Sequence, residues 1–171
     1  MGLDAAPVGA RLARLPWCTA LAIGIVALSG CATAVPSERP LPERSTINLS
    51  TPIGPFCGAT VVGDMLFASG QVGTRPGTKE LVPGGIEAET RQALENLAAV
   101  LGSAGFSMAD VVRCEIYLQD LGDYQAMNHV YQEFFADGDY PARATVQVAR
   151  LVLAARIEIS CIAVKGRKSN R

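Results

Sequence analysis

The sequence predicts an α+β domain, a sheet with two helices packed on one of its faces. Residues 111–119 alternate, with Val112, Cys114, Ile116 and Leu118 on one side and Arg113, Glu115, Tyr117 and Gln119 on the other, the pattern of a strand with a single buried face. Residues 87–102 and 123–136 instead repeat apolar side chains every three or four positions, which gives each of two helices one apolar stripe. Strand-like runs stand before, between and after these helices, an order that places helices against one face of a sheet.

A chain of 171 residues, 49% hydrophobic, has room for one well-formed core. Its first thirty residues are set apart from that core. Arg11 and Arg14 precede an apolar run from Ala20 to Leu28, the layout of a secretory signal peptide. The run ends in Leu28-Ser29-Gly30-Cys31, which resembles the lipobox of bacterial lipoproteins. That resemblance implies removal of residues 1–30 and lipidation of Cys31, with several acyl chains as stable anchoring requires. Ala32 after the cysteine implies sorting to the outer membrane, facing the periplasm. Residues 31–46, with Pro36, Pro40 and Pro42, read as a Pro-rich tether, 47–166 as the domain and 167–171 as a polar tail. Removing Arg11, Arg14 and Asp4 from the 15 basic and 16 acidic residues leaves a formal net charge of −2, with no basic field to hold nucleic acid.

Within the domain, Ile47–Leu49 reads as a short strand and residues 51–58 as a loop rich in Pro and Gly. Val61–Ser69 reads as a strand pair about Gly63-Asp64, ended by Gly70-Gln71. Turn residues fill 74–85. The first helix, Glu87–Gly102, carries Thr90, Ala93, Leu94, Leu97, Val100 and Leu101 on its stripe; the second, Asp123–Ala136, carries Met127, Val130, Tyr131, Phe134 and Phe135, with Asn128 on the neighbouring face. Two final strands, one opening at Pro141 and one covering Arg156–Val164, are joined by residues 151–155, which contain no strong turn residue. With Cys18 and Cys31 assigned to export, Cys57, Cys114 and Cys161 remain, an odd number that argues against a disulfide framework. Cys114 and Cys161 alternate with apolar residues and read as small core side chains.

The strand period places Arg143, Thr145 and Gln147 on one side of their strand, and Glu158 on the opposite side of the last strand from Ile157, Ile159, Cys161 and Ala163. A carboxylate there needs a partner, a subunit contact or a wet cavity. Two readings stay open: a structural Arg143–Glu158 ion pair between adjacent strands, or a guanidinium fork for a substrate carboxylate beside a carboxylate base. His129 is the only histidine, and no Cys or Asp cluster at ligand spacing accompanies it, so neither a metal site nor a histidine dyad is expected. Ser69 has no nucleophile elbow around it and reads as a hydroxyl that bonds ligand or backbone; Gly70 can expose its N–H to an anion.

Several stretches in order resemble the reactive-intermediate deaminase family, also called RidA-like or YjgF-like. They are Gly-Pro-Phe at 54–56, Ala-Ser-Gly-Gln at 68–71, Glu-Thr-Arg-Gln-Ala-Leu-Glu-Asn-Leu at 89–97 and Tyr-Leu-Gln-Asp-Leu-Gly-Asp-Tyr at 117–124. Asn-His-Val-Tyr-Gln-Glu-Phe-Phe at 128–135, Pro-Ala-Arg-Ala-Thr at 141–145, Val-Ala-Arg-Leu at 148–151 and Ile-Glu-Ile at 157–159 continue the set. The resemblance implies a chorismate-mutase-like fold assembled as a homotrimer with clefts between subunits, and cofactor-free hydrolysis of small 2-imino acids to 2-keto acids and ammonia. It implies that Arg143 and the Gly70 N–H grip the substrate carboxylate. Glu158 and the Thr145 carbonyl would activate water, and Asn128, Ser69 and Phe56 would line or support the cleft. Three positions depart from the family pattern: Phe56 where a tyrosine is frequent, Thr145 for a cysteine and Val152 for a proline. The alternative expectation is a non-catalytic trimeric module that binds small carboxylates at the cell envelope.

Overall fold

The computed structural model describes residues 41–49, 54–136 and 138–166. The expected signal segment, Cys31, most of the tether and residues 167–171 lie outside the described residues. Among the described residues six strands form one sheet: β1 (Arg44–Ile47), β2 (Ala59–Val62), β3 (Met65–Val72), β4 (Val111–Leu118), β5 (Ala142–Gln147) and β6 (Ile157–Val164). Their spatial order is β1-β2-β3-β6-β4-β5, antiparallel throughout except for the parallel β4–β5 pair. A parallel pair needs a crossover, and α2 (Tyr124–Tyr131) supplies it. The longer α1 (Gly85–Ser103) lies between β3 and β4 in sequence and packs on β3, β6 and α2.

Both helices cover one face of the sheet, as the two stripes predict. The core joins Leu94, Leu97 and Leu101 of α1 and Met127 of α2 to Leu66, Ile116, Leu118, Ile157 and Ile159 of the strands. Cys114 and Cys161 are buried, free and directly opposed across β4 and β6; burial pushes the Cys161 thiol up to about 12. Among the described residues nothing covers the other face, and Met65, Phe67 and Val146 stand well exposed there beside Arg113, Glu115 and Tyr117.

Several boundaries differ from expectation for physical reasons. β1 occupies Arg44–Ile47 rather than 47–49, because pairing with β2 (Ile47 opposite Ala59) selects the register and draws in the last residues of the expected tether. Val62 faces Met65 across a two-residue turn in which Gly63 has φ 57, a left-handed value that suits glycine in a hairpin. β3 does not stop at Ser69 but continues through Gly70-Gln71 to Val72 by means of a bulge, since Ala68 faces Cys161 while Gln71 faces Ile159. A second bulge, between Val111 and Arg113, turns Val111 rather than Val112 into the core. Helix α2 ends at Tyr131 and tightens into a 3₁₀ turn over Gln132–Phe134. Residues 152–154 form another short turn, with Leu153 and Ala154 both at positive φ.

One buried acid escapes the stripe reasoning. Glu89 of α1 is only 6% exposed, and its carboxylate accepts the Arg156 backbone N–H at 2.8 Å. Burial raises its pKa from the ordinary 4.5, against a smaller opposing effect of Arg156. The folded state therefore holds this proton more tightly than the unfolded chain, so the contribution is present in full below 4.5 and declines as pH rises through the folded value. Glu89→Gln keeps an acceptor for the Arg156 N–H and removes the titration. In urea unfolding the variant is expected to gain stability on the wild type as pH rises above 4.5, where the unfolded acid ionises more readily than the folded one.

Candidate functional site

Arg143 stands on β5 directly opposite Cys114, so its side chain leaves the sheet on the helix-covered face, at the β5 edge where α2 passes over it. Helix periodicity puts Tyr124, Asn128 and Tyr131 on the face of α2 that meets it. Nη1 donates to Asn128 Oδ1 at 2.7 Å and Nη2 to the Tyr124 hydroxyl at 3.0 Å. The guanidinium carbon lies 4.9 Å from the Tyr131 ring centre and 5.6 Å from that of Tyr124. A guanidinium stacked on a ring and tied through both terminal nitrogens has little rotational freedom, and each cation–π contact adds about 0.5–2 kcal/mol. Two of its five N–H donors are taken up by α2, so three remain for a ligand.

A cavity of ≈ 470 Å³ opens beside this arginine, lined by Asn128, Tyr131, Gln132, Tyr140, Pro141 and Arg143. Tyr131, which lines it, has a buried hydroxyl set against the Cys114 thiol, and the Thr145 hydroxyl on the Arg143 strand is buried without a hydrogen bond among the described residues. Burial holds the Tyr131 phenol well above the ordinary tyrosine range, so it is a neutral donor at any physiological pH. Thr145 follows Arg143 on the same face of β5, opposite Ile116.

Glu158 is elsewhere. It pairs with Tyr117 on β4 and Val72 on β3, and so projects from the uncovered face of the sheet. The Tyr117 phenol is held above its ordinary range, chiefly by Glu115 and further by Glu158. The β3 bulge sets Gly70 against the Glu158 side chain: a Cβ at position 70 would collide with Glu158 Oε1 and Cδ. Only glycine leaves the carboxylate where it is. Ser69 donates its hydroxyl to Cys57 O at 2.6 Å, and its N–H to Gly58 O at 2.9 Å. It is therefore the staple of the 54–58 segment, the backbone-bonding option expected for it, and that segment presents Phe56 at 55% exposure.

The structural ion pair between adjacent strands is thus corrected. β4 intervenes between β5 and β6, the two side chains leave opposite faces, and the guanidinium is taken up by α2 instead. The structure brings together Arg143, Asn128 and Thr145 as one group and Glu158, Gly70 and Ser69 as another, with Phe56 on the loop that Ser69 holds. Sequence reasoning missed Tyr124 and assigned Tyr131 to the core stripe alone; the signal was the spacing of Tyr124, Asn128 and Tyr131 along one helix face. His129 is exposed and joins neither group.

A profile of the family described as Endoribonuclease L-PSP matches residues 46–165. A RutC family protein of Pyrococcus horikoshii is 45% identical over 70% of this chain and 94% of its own length. A 2-iminobutanoate/2-iminopropanoate deaminase of Capra hircus is 41% identical over 71% of this chain and 88% of its own. Among solved structures, the YjgF gene product of E. coli aligns with a TM-score of 0.66 at 35% identity, covering 71% of this chain and 98% of that one. E. coli TdcF with bound serine aligns with a TM-score of 0.63 at 35% identity, covering 74% and 99%. By a match that spans nearly the whole described domain, the chain belongs to the Endoribonuclease L-PSP family.

Proposed function

We propose that the protein hydrolyses small 2-imino acids to 2-keto acids and ammonia, in clefts formed between subunits of a homotrimer. The observation that carries this is the placement of Arg143 and Glu158 on opposite faces of one sheet. Neither group can reach the other's ligand within a subunit, but an edge arginine of one copy laid against the uncovered face of the next completes a site. The exposed Phe67, Met65 and Val146 on that face support its being covered. Naming of the 41% identical relative as an imine deaminase supports the reaction.

In this mechanism Arg143 holds the substrate carboxylate through its free N–H groups, helped by the Gly70 N–H of the neighbouring copy. Glu158 of that copy, oriented by the space Gly70 leaves, takes a proton from water as it adds to the imine carbon, and the Thr145 carbonyl aligns that water. Addition to the protonated imine gives a carbinolamine that takes this proton on nitrogen; as its C–N bond breaks the hydroxyl proton passes back to Glu158, leaving the keto acid and ammonia, which carries the proton away as ammonium. The bonds and protons balance without an external oxidant or cofactor. Phe56 presents an apolar ring to the substrate side chain, and Asn128 keeps Arg143 in place. The net charge of −2 beyond residue 31 gives little support to an RNA substrate, despite the family's description.

Imine generated in situ by an amino-acid oxidase provides the assay; hydrolysis no faster than in buffer ends this reading in favour of a carboxylate-binding module. The intersubunit arrangement has its own signature. Arg143→Ala and Glu158→Gln subunits, each inactive alone, regain activity when unfolded and refolded together. Random mixing of equal amounts recovers about a quarter of wild-type activity, because each heterologous contact takes one residue from each copy. Recovery indistinguishable from zero places both residues in one subunit's site or in none. We further propose, from the layout of residues 1–31, that the protein is exported and lipid-anchored at Cys31. Labelling with a fatty-acid precursor, abolished by Cys31→Ala, is the expected result.

A further inference from the structure

The reading of Arg143 as the carboxylate grip leaves one neighbouring group unassigned. We propose that the Tyr124 hydroxyl is a third donor to the same substrate carboxylate, so that the anion is bound by a guanidinium and a phenol together. The proposal rests on the proposed function, and its test separates the two.

Tyr124 is the first residue of α2. Its oxygen accepts from Arg143 Nη2 at 3.0 Å. One helical turn on, Asn128 receives Nη1 on its Oδ1 at 2.7 Å, which turns its amide nitrogen to the other side of the carboxamide, and that side chain also acts on the Tyr124 hydroxyl. The three polar groups close a ring in which the phenol oxygen is an acceptor. A hydroxyl that accepts in this way keeps its proton for a further partner, and among the described residues no hydrogen bond uses it. The same environment, Asn128 first and Arg143 second, holds the phenol below the ordinary tyrosine range, and a more acidic hydroxyl is a stronger donor to an anion.

The geometry also restricts the ligand. An anion that takes the free N–H groups of Arg143 comes within hydrogen-bonding range of a hydroxyl only 3.0 Å from Nη2. A carboxylate offers about four lone-pair sites and accepts a third donor without giving up its bidentate contact. Esters and amides of the same acids lack the charge and the second equivalent oxygen, so the site selects free 2-keto and 2-imino carboxylates.

The test uses calorimetric binding of pyruvate, a 2-keto acid that needs no hydrolysis, to the full-length oligomer. Arg143→Ala is expected to abolish binding, and Tyr124→Phe, which keeps the ring under the guanidinium, to weaken it about 10-fold, the scale of one hydrogen bond to a charged group. Placing 3-fluorotyrosine at position 124 supplies the sign. Its hydroxyl donates more strongly and accepts more weakly, so at mildly acidic pH it tightens pyruvate binding if Tyr124 donates to the ligand. It loosens binding if Tyr124 only positions Arg143. Unchanged affinity in Tyr124→Phe, or looser binding with the fluorinated side chain, overturns the proposal while leaving the Arg143 grip intact. Pyruvate binding that survives Arg143→Ala overturns the grip itself and the proposal with it.

Discussion

Replacing Arg143 by alanine is expected to lower imine hydrolysis by roughly 10²-fold or more, since an oriented carboxylate is what brings the imine carbon into reach of water. Arg143→Lys is the more informative variant. Lysine keeps the positive charge but presents no planar fork, and its ammonium cannot stack on Tyr131 while donating to Asn128, Tyr124 and a ligand in one plane. A loss in the lysine variant of at least about 10-fold, seen mainly in KM, follows if bidentate geometry matters beyond charge. Equal activity for lysine and arginine would mean that α2 holds a point charge and nothing more.

The second large effect is predicted at a residue with no side chain. Gly70→Ala drives a methyl group into the Glu158 carboxylate, whereas Glu158→Gln leaves its position and removes its basicity. Both changes are expected to reduce kcat by roughly 10²-fold, the contribution of a positioned general base, with smaller changes in KM. Their equivalence is the point: the alanine variant keeps an ionisable carboxylate and loses only its location. Because Gly70 is at the exposed surface of the bulge, the melting temperature of Gly70→Ala should stay close to that of the wild type. Full activity in Gly70→Ala would show that the observed Glu158 position is not the working one.

Away from the bulges, alternation was sufficient to assign faces: Arg143 with Thr145, Glu158 apart from Ile157 and Ile159, and the buried Cys114 and Cys161 all follow from a period of two, whereas Val112 yields its expected core place to Val111. The stripe of α1 was legible for the same reason, Thr90 through Leu101 being buried as its period requires. Strand order was not legible, because pairing between distant segments leaves no mark in either segment. Hence β4 between β5 and β6, and with it the separation of the arginine from the glutamate, had to come from three dimensions. The β3 bulge escaped likewise: Ser69-Gly70 reads as a strand end, and only the register against β6 carries the strand on to Val72. Tyr131 was placed in the core by its spacing, correctly at 4% exposure, but spacing says nothing of a ring face lying under a cation.

The crossover that joins β4 to β5 has a kinetic meaning as well. Arg143 meets Asn128 and Tyr124 across sequence separations of only 15 and 19 residues, all within one strand–helix–strand unit. Gly70 and Glu158 come from nearly opposite ends of the domain, and the carboxylate reaches its niche only when the last strand has docked beside β3. Loop-closure entropy favours the short closure first. On the proposed function the anion grip is thus the property of a local folding unit, while the proton-handling half awaits the pairing of β3 with β6, among the longest-range contacts of the described residues. If Arg143 and Glu158 act as proposed, a folding subunit is expected to acquire the means to hold a carboxylate before the means to transform one.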